Sequence, residues 1–139
     1  MREVIYQALW EQFAGLDEFK TKSRRLKHWS AVDKRLQPAL FMAQVGETTQ
    51  ARSGMLTQWQ LNVDLYIYVF VNENQAASQQ LNPLLDLVCQ AIQPNPTGIN
   101  NLGLGAVTHC AIDGKIETDE GTLGNQAIAI VPVTILACF

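Results

Sequence analysis

Residues 59–71 read Trp59-Gln60-Leu61-Asn62-Val63-Asp64-Leu65-Tyr66-Ile67-Tyr68-Val69-Phe70-Val71, and this stretch decides the fold. Trp59, Leu61, Val63, Leu65, Ile67, Val69 and Val71 recur with strict period two, the mark of a strand that buries one face. The opposite face begins polar at Gln60, Asn62 and Asp64, then turns aromatic at Tyr66, Tyr68 and Phe70. The pattern predicts a strand whose back is solvated at one end and covered at the other.

Further strands lie on both sides of it. Residues 126–137 are apolar on both faces, as a central strand would be. Pro132 cannot donate to a ladder, so a bulge or a locally unpaired edge is expected there. Residues 106–112 and 115–119 read as two strands meeting at Asp113-Gly114, a two-residue hairpin signal. Pro38 introduces another strand over 39–45. Residues 46–57 (GETTQARSGMLT) show no periodicity and predict a long connection, either a mobile loop or an arm that orders against a neighbour.

Two helices complete the pattern. Over 3–14, Ile5, Leu9, Phe13 and Leu16 form an apolar stripe widened by Val4 and Ala8, with Gly15 placed for a left-handed end. Tyr6 and Trp10 flank the stripe and are expected to cover a sheet edge. Over 76–92 the stripe is Leu81, Leu84, Leu85, Val88 and Ile92, with Pro83 in the early turns and Pro94 and Pro96 as terminators. Residues 95–105 read as a turn-rich loop. The expected architecture is α+β: a single domain over 1–139, with a mainly antiparallel sheet and two main helices packed on one face.

Composition narrows the class. A chain of 139 residues with 47% hydrophobic and 17% charged residues can bury one core and is not wholesale disordered. The N-terminal stretch carries acids within its apolar run, so it reads as an amphipathic helix and not a leader. No run reaches the ~18 apolar residues of a membrane helix. Cys89, Cys110 and Cys138 lack paired spacing and read as small core hydrophobes in a reduced, cytoplasmic compartment.

Charge is segregated along the chain. Of the ten Lys and Arg residues, seven lie in one segment: Lys20, Lys22, Arg24, Arg25, Lys27, Lys34 and Arg35. Asp113, Glu117, Asp119 and Glu120 crowd a second segment. Such a molecule presents a positive and a negative surface, suited to another macromolecule or to its own copies. Phe19, Leu26 and Trp29 are interleaved with the cations, and Trp with Arg is an interface composition. A solvated face is the plain alternative. The net charge of -3 argues against a nucleic-acid coat. Within the basic run, partial alternation from Phe19 to Arg24 predicts a short exposed edge strand. Ser30-Ala31-Val32-Asp33 reads as a capping box opening one helical turn.

Catalytic and metal readings find little support. His109 and Cys110 are adjacent on a strand and point to opposite faces, so neither can activate the other. The two histidines and three scattered cysteines lack zinc-ligand spacing. Glu117 and Asp119 share a face but sit in no calcium-loop pattern. Gly103-Leu104-Gly105 precedes a strand, which is wrong for a phosphate loop. No catalytic residue, metal or cofactor is expected.

Taken in order, several stretches resemble the tail-terminator (tail-completion, minor tail) proteins of long-tailed bacteriophages. They are Arg24-Arg25 through Trp29-Ser30-Ala31-Val32 to Gln37-Pro38-Ala39-Leu40-Phe41, then Trp59-Gln60-Leu61 with Ile67-Tyr68, then Leu81-Asn82-Pro83-Leu84-Leu85-Asp86. Leu102-Gly103, Val107-Thr108-His109-Cys110, Gly114-Lys115-Ile116-Glu117-Thr118-Asp119-Glu120-Gly121 and Ala127-Ile128-Ala129-Ile130-Val131-Pro132-Val133 continue it. The resemblance spans nearly the whole chain as order and composition, with no single diagnostic motif.

It implies a virion structural protein without an active site, built as a homohexameric ring on the last ring of the tail tube. Such a ring stops tube polymerisation and offers the surface for head-tail joining. The implied partners are further copies, the tail tube protein and head-tail connector proteins, with DNA only passing through the lumen and no membrane. The implied location is the neck end of the virion tail, with the host cytoplasm during assembly. In a head-to-tail ring, the segments Lys20–Arg35 and Asp113–Glu120 are natural complements. A head-completion or connector protein of the same neck is the nearest rival, and a DNA-binding module is a more distant one.

Overall fold

The computed structural model describes residues 1–72, 74–93 and 98–139. The period-two stretch is β3 (Gln58–Phe70), and Leu61, Val63, Leu65 and Ile67 are fully buried along its front face. It pairs antiparallel with β2 (Ala39–Gln50) on one side and β6 (Gln126–Cys138) on the other. β1 (Thr21–Ser23) adds to β2 as a short parallel edge strand. β4 (Val107–Ile112) and β5 (Glu117–Leu123) both pair with the outer side of β6, completing a six-stranded sheet. β6 is therefore central, as its two apolar faces predict.

The expected hairpin at Asp113-Gly114 does not form. β4 pairs with residues 133–137 of β6 and β5 with residues 126–130, so the two lie end to end along one side. The break falls opposite Pro132, where the missing N–H interrupts the ladder as the sequence predicts. There Asp113 N–H donates to the Pro132 carbonyl at 3.1 Å. Gly114 holds φ +117°, and a Cβ on it would meet Pro132 Cγ at 3.3 Å. The hairpin is instead β5–β6, in which Leu123 faces Gln126 across Gly124-Asn125.

The connection expected over 46–57 is shorter. After an irregularity between Gln44 and Gly46, β2 continues to Gln50, which pairs with Gln58, leaving 51–57 as the link. Residues 44–50 are exposed on both faces, so no hydrophobic period marks them as strand.

Both main helices cover the front face. α1 (Arg2–Glu11) is followed by a tight turn, with Phe13 N–H bonded to Trp10 O at 3.0 Å. Such i to i−3 bonds close the last turn without a left-handed residue, and Gly15 does not adopt positive φ. Ile5, Leu9 and Phe13 are fully buried, while Tyr6 takes the place expected of Val4, which is 53% exposed. Burying each such side chain contributes about 1.5–3 kcal/mol. Leu9→Ala, which leaves a cavity, would cost about 2–5 kcal/mol.

α2 (Ala77–Ile92) buries Leu81, Leu84, Val88 and Ile92. Pro83 sits within it, and Leu85 is only partly buried. The terminators Pro94 and Pro96, and the start of the loop expected from 95, lie outside the described residues. The helices and the sheet's front face share one core.

A second, smaller core lies behind the sheet. Val32, Ala39, Phe41 and Tyr68 are buried there, flanked by Trp29, Tyr66 and Ile128. Residues 29–36 form the cover as two short 3-10 turns, Trp29–Ala31 and Lys34–Leu36. His28 caps the first through Ser30 N–H and Asp33 caps the second through Arg35 N–H. The expected capping box from Ser30 is thus replaced by two separate caps.

Candidate functional site

The basic segment divides into cations that hold this chain together and cations that face solvent. Lys22 Nζ donates to the carbonyl of Ala14 at 2.8 Å, satisfying the turn that follows α1. Arg24 makes an ion pair with Glu3 and donates to Gln7 Oε1 at 3.1 Å, clamping β1 to the flank of α1. The guanidinium beside Glu3 holds that carboxyl below its ordinary range. Lys22 and Arg24, expected at an interface, therefore have partners within the chain.

Arg35 pairs with Asp33 in the turn between them, at 3.3 Å. The pair is at the surface, and 84% of the Arg35 side chain stays open to solvent. Trp29 is half-buried against the second core, with the His28 ring tilted against it at 5.1 Å between centres, and is not a free anchor. Lys20, Arg25, Lys27 and Lys34 are exposed. Lys34 Nζ lies 5.7 Å from the centre of the Phe70 ring. Leu26 is 41% exposed between Arg25 and Lys27.

The acids occupy the far side of the sheet. Asp113 is exposed at the break opposite Pro132. Glu117 pairs with Ile130 and Asp119 with Ile128, so both point to the back face as period two requires. Glu120 points to the front. Asp119 accepts from Thr122 N–H at 3.3 Å. Glu117, Thr118 and Asp119 wall a shallow groove of about 310 Å³ floored by Ile128 and Ile130. Nearby on the back face, Asp64 is half-buried, and burial followed by repulsion from Glu117 pushes its carboxyl up.

The structure does not bring the basic and acidic residues together. The acids lie along β5 at one edge, while the cations run from β1 at the other edge to the cover behind β3, where the Lys27 carbonyl meets Tyr68 and Lys34 lies over Phe70. Both groups lie at the same end of the strands, since Ala39, Tyr68, Ile128 and Asp119 form one row across the back face.

Several structural residues escape a sequence reading. Gln37 and Gln126 are buried, and behind them the chain forms an open cavity of about 580 Å³ edged by Trp29, Lys34 and Phe70. At the other end, Arg2 donates to Glu47 at 2.9 Å and lies 4.2 Å over the Trp59 ring, which stacks on Phe139. Asn100 binds the carbonyl of Ile92 and accepts from Leu102 N–H, joining α2 to the next loop. Cys110 N–H donates to Asn100 O at 2.7 Å, and Asn100 N–H to His109 Nδ1 at 3.4 Å. Only the short-range Asn100 turn leaves a local cue, the Asn-rich stretch before Gly103.

His109 and Cys110 point to opposite faces of β4. Cys110 is fully buried, which pushes its thiol up to about 12, unsuited to a nucleophile. Among the described residues, no three His, Cys, Asp or Glu side chains are grouped to hold a metal ion. No described helix is long and apolar enough to cross a membrane. A scan of protein-family models finds none that matches this chain, and a search of curated proteins finds no similar sequence.

Proposed function

We propose that this chain is a phage tail terminator: a structural protein that closes into a ring on the end of the tail tube, halts its growth and presents the head-joining surface. The observation that carries the reading is the separation of the exposed cations, around β1 and on the cover behind β3, from the acids of the outer strand β5. A chain with complementary surfaces meets its copies head to tail, and a head-to-tail contact whose rotation closes produces a ring. Like surfaces repel, which disfavours back-to-back dimers. The exposed Met55 and Leu56, in the link between β2 and β3, give such a ring an apolar element for a further partner.

The test is tube growth. Tail tube protein is polymerised with and without the chain, and tube lengths are measured by electron microscopy. A terminator shortens the length distribution and is found at tube ends. Tubes of unchanged length with no chain bound would exclude the reading.

A further inference from the structure

The groove beside β5 and the exposed leucine of the basic segment are complementary in polarity and charge. The groove has an apolar floor, Ile128 and Ile130, and acidic walls, Glu117 and Asp119. Its floor residues are only partly buried, so an apolar guest would remove further surface from water. Away from β5, in the segment that follows β1, Leu26 stands 41% exposed with Arg25 and Lys27 on either side. That projection is fixed in place, because the Tyr68 hydroxyl donates to the Lys27 carbonyl at 2.7 Å. A pre-ordered projection loses little entropy on docking.

The projection is tied to β3 while the groove lies between β5 and β6, and Leu26 stays exposed outside the groove of its own chain. Resting on the self-assembling reading above, we infer that Leu26 of one copy seats in the Ile128–Ile130 groove of the next. Arg25 and Lys27 then face Glu117 and Asp119. The occupant is a second copy because this chain carries both halves with opposite charge. Two grooves or two projections meeting each other would place like charges together.

Two variants separate the halves. Leu26→Asp disables the projection and leaves the groove intact. Glu117→Lys with Asp119→Lys disables the groove and leaves the projection intact. All these residues are at the surface, and circular dichroism with thermal melting checks that each variant is folded. Sedimentation velocity then measures assembly of wild type, each variant and their equimolar mixture. The inference expects at least tenfold weaker self-association of each variant, and one-to-one pairs in the mixture.

Folded variants that assemble as wild type does would overturn the contact. So would a mixture that gives no pairs while the variants stay single. A wild-type chain that remains single at every concentration also overturns it. The terminator reading is scored separately by tube length, so either can fail without the other.

Discussion

The side chains of Gln37 and Gln126, 89 positions apart, exchange hydrogen bonds of 3.0 and 2.9 Å behind the sheet. Gln37 also donates to the carbonyl of Val32, and Gln126 to those of Val69 and Ala127, each at 3.1 Å. Both residues are buried, so the pair ties the basic cover to β6 through fully partnered amides. Gln126→Ala should destabilise the fold by about 1–3 kcal/mol, since it orphans the Gln37 amide. Urea unfolding measures this, and a double-mutant cycle with Gln37→Ala should give a coupling of about 0.5–3 kcal/mol. Additive losses would show that the two amides act independently.

Alkaline pH should loosen the fold on both faces of the sheet, at Tyr68 behind it and at Tyr6 on α1 in front. Burial, and then the neighbouring Tyr66, push the Tyr68 phenol from 10.0 up to about 12. Burial and the Glu47 carboxylate do the same to Tyr6, also to about 12. A raised acid pKa means the folded state holds its proton more tightly than the unfolded one. Its stabilisation is thus complete below pH 10 and is lost as pH rises toward 12. Unfolding free energy measured across that window should fall, and Tyr68→Phe should make the fall shallower.

Gly114→Ala should destabilise by about 1–3 kcal/mol, since alanine there would adopt a strained backbone. Its φ is +117°, and Pro132 Cγ lies 3.3 Å from the added Cβ. Adding Pro132→Ala should relieve the close approach and leave the backbone strain. Denaturant midpoints of the single and double variants compare the two contributions.

The length of the β2–β3 hairpin is open to hydrogen exchange. Amides bonded between 47–50 and 58–61 should exchange more slowly than those of 51–57. Uniformly fast exchange from 46 to 57 would restore the long loop expected from the sequence.

What could be read from the sequence follows from where the information resides. β3, β6 and the stripe of α2 bury a regular face, so their periodicity survives in the residues themselves. The distal half of β2 buries neither face and carries no such record. Asp113-Gly114 is a sound local turn signal, but the partner of β4 and β5 is β6, a choice made by tertiary packing. The acids of β5 and the cations of the basic run were identifiable as charged surfaces. That Lys22 and Arg24 are turned inward depends on the Ala14 carbonyl, 8 residues from Lys22, and on Glu3, 21 residues from Arg24. No pattern marks the Gln37–Gln126 pair, because two isolated glutamines look like surface residues until the chain closes over them.

The interruption at Pro132 has one more effect. It divides the outermost boundary of the sheet into two short lengths, Val107–Ile112 and Glu117–Leu123, set apart by a stretch that departs from the ladder. A stray extended peptide laid along that boundary would lose registry after a few residues, with carboxylates crowding its second half. Strand-by-strand growth of the sheet is thereby disfavoured on this side of the molecule.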